Sequence, residues 1–197
     1  MIKFASICPH PPIILPSVGS KEDRKKVKKT INSLEFLGKK LKEAKPEKII
    51  ISAPHPDWGF NVPLHFLAPG FKDKIETILI GLESPQFYFE EGSKFSVFNT
   101  ALIASGDLSH CLKKDGPYGF HPDGPKFDQE LIELLKNKDI ENILKLDDKY
   151  PDADECGLRS FCFLLGILEA SGINWQPEIL SYEGPFGVGY LVVNFKL

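Results

Sequence analysis

A chain of 197 residues, 42% hydrophobic and 26% charged, has the composition of one folded domain with enough length to bury a substantial core. Its formal net charge of −3 offers no basic surface for nucleic acid. No uninterrupted apolar run approaches the ~20 residues a membrane span needs.

In chain order, "IKFASI" reads as a first strand and leads into "CPHPP". The basic stretch "KEDRKKVKKT" belongs to an amphipathic helix and reads as a solvated face. Over "SKEDRKKVKKTINSLEFLGKKLKEAKP", Val27, Ile31, Leu34, Leu37, Leu41 and Ala44 recur every three or four positions, as one helix face requires. Ser20 is its expected N-cap, Glu22 and Asp23 complement the helix dipole, and Pro46 ends it. "KIIISA" follows as a nearly all-apolar strand, buried on both faces. Strand, helix and strand form a βαβ unit, with a parallel pair and a right-handed crossover.

Further strands are expected at "KIETILIG", "VFNTALIAS", "PEILSY" and "VGYLVVNF", and helices at "FDQELIELLKNK", "IENILKLD" and "LRSFCFLLGILEAS". No repeat exists beyond two Pro-His-Pro elements, and no linker divides the chain. The expected fold class is α/β: a single domain over residues 1–197, with a mixed or mostly parallel central sheet flanked by helices. The four cysteines, Cys8, Cys111, Cys156 and Cys162, form neither a CxxC pair nor a zinc-finger spacing. With no signal-peptide pattern at the N-terminus, a cytoplasmic protein with reduced thiols is the default expectation.

His10 in "CPHPP" and His55 in "APHPD" each sit between two prolines at the end of a strand. Proline locks its own φ near about −65° and holds the preceding residue extended, which gives the side chain between two prolines a defined direction. "VFNTALIAS" runs into "GDLSH" and so brings His110 to a third strand end. Ligands of open α/β sheets bind beyond the carboxyl ends of the strands.

Two histidines with one carboxylate form the ligand set of non-heme Fe(II) oxygenases, although imidazole also suits zinc. The candidate carboxylates are Asp57, Asp107, Glu155 and Glu183, and position alone does not rank Glu155 above Glu183. Cys8, Cys111 and Cys156 lie close in sequence to His10, His110 and Glu155. They read first as buried core thiols, with a thiolate ligand as the alternative.

The segments "ASGDLSHCLKKDGPYGFHPDGPKFD", "ADECGLRSFCFLLGILEASG", "LSYEGPFGVGYLVV" and "ICPHPPIILPSVG" resemble the LigB-type class III extradiol ring-cleavage dioxygenases. More closely, they resemble the dioxygenase-like domain often fused to an AMMECR-type domain, which is related to the Memo proteins. This resemblance implies Fe(II), with zinc as the alternative, held by His10, His55 and Glu155. His110 would be the catalytic acid/base, and a catechol-type aromatic and O₂ the substrates. It also places His121 on the border of the substrate pocket.

Two departures stand out. The stretch between His55 and "GDLSH" is shorter than is usual in the family, and Trp58 occupies the pocket position where members tend to carry a histidine. His65, on "VPLHF", reads as a partly buried structural histidine. A Memo-like metal or redox module without ring cleavage is the alternative, with Cys156 as a ligand. Zinc hydrolysis and a purely structural domain are weaker ones. The expected partners are small molecules, a second copy of the chain by base rate, and an AMMECR-type domain on a separate chain. Neither nucleic acid nor membrane is expected.

Overall fold

The nearly all-apolar runs of the sequence become the inner strands of one sheet because both of its faces are covered by helices. The structure, a computed structural model, describes residues 1–197. Strand β1 (Ile2–Cys8) is followed by a short 3₁₀ turn and helices α1 (Lys21–Lys26) and α2 (Lys28–Ala44). Next come β2 (Lys48–Ala53), α3 (Asp57–Leu67), β3 (Lys74–Leu79), α4 (Pro85–Ser93) and β4 (Thr100–Ser105). The chain continues through α5 (Asp123–Asn137), α6 (Ile140–Ile143), α7 (Leu146–Lys149) and α8 (Leu158–Ala170), and closes with β5 (Gln176–Glu183) and β6 (Tyr190–Lys196).

The six strands lie in the order β3-β2-β4-β1-β6-β5. The first four are mutually parallel, while β6 runs antiparallel to β1 and β5 antiparallel to β6. The expected mixed, mostly parallel α/β sheet is therefore the observed one. The parallel strands β1 and β2 are not neighbours, however, because β4 inserts between them. Ala5 and Ile7 of β1 join Leu102 and Ala104 of β4 in a core under α5 and α8, whereas Phe4 and Cys8 join Ala101 and Ile103 under α2 and α3. Helix α8 is buried almost throughout, pressed between the sheet and α4. No helix is long and apolar enough to cross a membrane.

The single helix expected over residues 20–46 is two helices. Ser20 does cap the first one through a capping box with Asp23, as its position suggested. At Val27 (φ −112°, ψ 27°) the backbone leaves helical geometry. The Thr30 N–H that would continue the ladder donates instead to Glu183 Oε1 at 2.7 Å, and the Thr30 hydroxyl donates to the same oxygen at 2.8 Å. A carboxylate 153 residues away in sequence thus starts α2.

Helix α3 and helix α4 lie in stretches where the sequence reading placed no element. Helix α3 is masked by Gly59 and by Pro63 in its interior, both of which read locally as breakers. His65 lies exposed on it rather than partly buried, because the buried face of α3 is carried by Val62, Pro63 and Leu67.

Candidate metal centre

β1 ends at Cys8, and two residues later the His10 side chain is 1% exposed. Its backbone N–H donates to Asp107 Oδ1 at 2.9 Å, which ties the β1 exit to the loop leaving β4. Its ring is held at Nδ1 by Ser105 Oγ, 2.9 Å away, at the last position of β4. Ser105 also donates to the Gly59 carbonyl at 2.5 Å. Nε2 faces the Cys156 sulfur at 3.5 Å.

His55 leaves β2 and places its ring edge-on to His10, with centroids 5.3 Å apart. One ligand atom from each of His10, His55 and Cys156 lies within 4.8 Å of the others. Burial, followed by the charges of His55 and His110, lowers the His10 pKa to about 3, so its imidazole is neutral with a lone pair to offer. Burial and His110 lower that of His55 as well. Burial, then the carboxylate of Asp107, pushes the Cys156 thiol well up, so a cation is what would ionise it. Two neutral imidazoles and a thiol converging in this way are a donor set that suits a transition metal.

Two loops form the floor. Cys156 N–H and Gly157 N–H both donate to Asp107 O, and Asp107 N–H donates to the Cys156 sulfur at 3.3 Å. The clasp is tight enough that a Cβ on Gly106 would run into the Gly157 backbone. Burial, eased by the His10 N–H, raises the Asp107 pKa to about 7. Below the clasp, Asp128 accepts Ser109 N–H at 2.8 Å and the Tyr182 hydroxyl at 2.6 Å.

Glu155, the carboxylate ligand that the resemblance implied, does not join this group. One of its oxygens accepts Leu158 N–H at 2.6 Å at the start of α8, and the other pairs with Arg159 at 3.2 Å. Arg159 in turn reaches Asp147 at 3.2 Å and the Glu83 carbonyl at 2.7 Å. Burial raises the Glu155 pKa to about 7 despite these partners. Adjacent residues on a turn point apart, and here the cysteine takes the direction of the histidines. Of the other candidates, Glu183 caps α2 and Asp57 lies exposed in the first turn of α3.

His110 donates from both its backbone N–H and its Nδ1 to the Asp154 carbonyl, which leaves Nε2 free. Its ring meets Tyr118 edge-on at 5.0 Å. Its charge helps to lower the pKa of both His10 and His55, so it lies within electrostatic reach of them. Trp58, 44% exposed, lies with its ring 5.2 Å from that of His55. His121 stands apart from the His10 group, in a separate half-exposed group with Asp123 and Asp152. Sequence reasoning passed over Ser105 and did not see how Asp107 would be used. The signal available for Ser105 was its position as the last residue of a strand that leads into "GDLSH".

Three comparisons bear on this geometry. Residues 54–193 match the model of the LigB family, described as the catalytic LigB subunit of aromatic ring-opening dioxygenase. Protein CA_C1420 of Clostridium acetobutylicum is 32% identical over 267 aligned positions, which take in 96% of this chain. The chain spans 56% of that relative's length. The crystal structure of the uncharacterized protein JW3007 from Escherichia coli K12 shares the fold, with a TM-score of 0.68 at 15% identity, covering 98% of this chain and 99% of that one.

Proposed function

This chain belongs to the LigB family, and from that membership we propose that it is a metal-dependent oxygenase-type enzyme opening a catechol-type aromatic with O₂. The observation that carries this reading is the convergence of His10, His55 and Cys156 within 4.8 Å, with His110 in electrostatic reach of His10. These three residues would hold Fe(II), with zinc as the alternative ion. A metal bound there supplies Lewis acidity and redox capacity.

The protein's own residues do the rest. Ser105 and Asp107 hold the His10 ring and backbone in place. His110, with Nδ1–H committed to Asp154 O, presents a free Nε2 that takes the proton of a substrate hydroxyl and later returns it, a role imidazole suits. Trp58 forms one wall over His55. Glu155, through Leu158 N–H and Arg159, sets the turn that aims Cys156.

One observation favours a second reading. A thiol stands among the ligands where the resemblance implied a carboxylate, and soft sulfur ligation suits a metal or redox module that binds its ion without cleaving rings.

The test is metal content and O₂ uptake on anaerobically Fe(II)-loaded protein with a panel of catechols, beside His10→Ala and Cys156→Ala. Near-stoichiometric iron with catechol-dependent O₂ consumption, lost in both variants, is the expected result. Bound metal without consumption selects the second reading, and absence of metal binding refutes both.

A further inference from the structure

The two edges of the sheet are finished differently. At one edge, β5 carries Pro177, a break in register between Ile179 and Ser181, and cover from α2 and α5. These are ordinary ways of blocking the addition of another strand. At the other edge, β3 has none of them. It contains no proline, pairs with β2 without a shift from Lys74 to Leu79, and has no helix packed extensively against it. Its free side is a row of backbone N–H and C=O groups with no neighbouring strand.

Pairing with β2 fixes which way the β3 side chains point, because successive residues of a strand alternate between the two faces. Ile75, Thr77 and Leu79 pair with Ile49, Ile51 and Ala53, and so lie on the α2 and α3 side of the sheet. All three are exposed there, Ile75 by 38% and Leu79 by 59%, and Leu82 just past the strand is 94% exposed. Glu76 and Ile78 take the other face. The Glu76 carboxylate is neutralised by Lys48 at 2.5 Å and Lys74 at 3.7 Å. The exposed row is therefore uncharged and mostly aliphatic.

We propose that β3 pairs antiparallel with β3 of a second copy of this chain, which joins the two sheets into one. A two-fold axis normal to the sheet keeps every residue on its own face, so the axis passes through a residue and not between two. Only two centres, Glu76 and Thr77, bring most of Lys74–Leu79 into the pairing. Centred on Glu76, the pairing sets the two carboxylates directly opposite each other and leaves Leu79 facing Asp73, outside the strand. Centred on Thr77, it sets each Ile75 against the partner's Leu79 and Thr77 against Thr77, which are favourable cross-strand pairs. The row is thus self-complementary about Thr77, as an isologous contact between identical copies requires. Antiparallel pairing turns the parallel strands of the two copies in opposite directions. The two metal centres then stand at opposite ends of the joint sheet, and neither is covered. This inference goes beyond the proposed chemistry and does not depend on it.

The test is sedimentation equilibrium of the whole chain at micromolar concentrations, beside Thr77→Lys and Leu79→Lys. The expected mass is twice the 22.1 kDa of one chain. Each lysine variant should raise the dimer dissociation constant about ten-fold or more, because a charge on the free edge opposes its own copy or an aliphatic side chain. Both positions are exposed, so the variants retain the fold, which far-ultraviolet circular dichroism checks. Thr77→Cys should form an intermolecular disulfide under mild oxidation, since directly opposed Cα atoms stand about 4.5–5.5 Å apart. Lys74→Cys should not, because its two copies would lie roughly 20 Å apart along the strands. The unsubstituted chain, whose own cysteines are buried or half-buried, sets the baseline. A monomer at every concentration, a dimer indifferent to both lysines, or no cross-link at position 77 overturns the proposal. A dimer that passes these tests in a protein that binds no Co²⁺ would uphold the pairing and sink the metal centre instead.

Discussion

Ser105 decides which nitrogen of His10 carries the proton. Ser105 Oγ lies 2.9 Å from His10 Nδ1 and spends its own hydrogen on the Gly59 carbonyl at 2.5 Å. The oxygen can then only accept from the imidazole, so Nδ1 is the protonated nitrogen and Nε2 keeps its lone pair towards Cys156. The Gly59 carbonyl is free to take the hydroxyl because its helical partner four residues on is Pro63, which has no N–H. A proline in α3 thus helps orient a metal-ligand candidate that follows β1.

The first prediction follows from that chain of bonds. Ser105→Ala should lower affinity for Co²⁺ or Zn²⁺ by about 10–100-fold, the usual cost of losing the partner that orients a ligating histidine. Pro63→Ala restores an N–H that competes for the Gly59 carbonyl, and a smaller loss is expected there. Competition titration against a chelator measures both, and the absorption spectrum of the Co²⁺ form should shift in each variant. Unchanged affinity and spectrum would remove Ser105 from the site.

Cys156 and Glu155 separate cleanly by substitution. Cys156→Ser should lose most metal affinity, along with the near-ultraviolet sulfur-to-metal absorption of a Co²⁺ or Cu²⁺ form. Glu155→Gln should keep both and instead cost roughly 1–3 kcal/mol of stability, because a charge-assisted bond to Arg159 is weakened in a buried place. The reverse pattern would make Glu155 the ligand.

Trp58 offers an optical report on the centre. The second tryptophan, Trp175, is 1% exposed and donates to Glu169 far along the chain, whereas Trp58 lies against His55. Binding of Cu²⁺ or Co²⁺ should quench the fluorescence component of an exposed indole, and Trp58→Phe should abolish that quenching. Removal of a partly exposed ring should change stability by only about 0.5 kcal/mol. Quenching that persists in the variant would place the ion elsewhere.

Asp128 predicts a pH dependence of stability. Burial raises its carboxyl in the folded state from the ordinary 3.8 to about 7, offset in part by Tyr182 and the Ser109 N–H. The folded protein therefore holds this proton more tightly than the unfolded chain. Its stabilising contribution is complete below about pH 4 and is lost as pH rises through about 7. Asp128→Asn cannot ionise, so urea unfolding of the metal-free protein between pH 4 and 7.5 should show a shallower decline than the unsubstituted chain. Asp107 and Glu155, also raised to about 7, keep part of the slope in the variant. Parallel curves would show that Asp128 is ionised throughout.

The α/β class, the six strands and the exits of His10 and His55 were legible in the sequence because each depends on short-range physics. Apolar runs bounded by turn residues make buried strands, and prolines on both sides of a histidine restrict its backbone wherever they occur. The Ser20 cap was legible for the same reason, since its partner Asp23 is three residues away.

What the sequence left open depended on contacts between distant segments. The break at Val27 follows from Glu183, and the placement of β4 between β1 and β2 is a choice among parallel orders that local pattern does not encode. Helix α3 was hidden because Pro63 reads as a breaker until Ser105 is seen to satisfy the carbonyl it strands. Residues 155 and 156 are chemically credible ligands one position apart. Arg159 and the start of α8 claim the carboxylate, which leaves the thiol facing His10. Each segment's own backbone was enough for the six strands and for the histidines at the exits of β1 and β2, whereas α3, α4 and the break at Val27 were not legible locally. The tertiary structure alone decided which atoms meet, because direction at a turn is set by whatever packs against it.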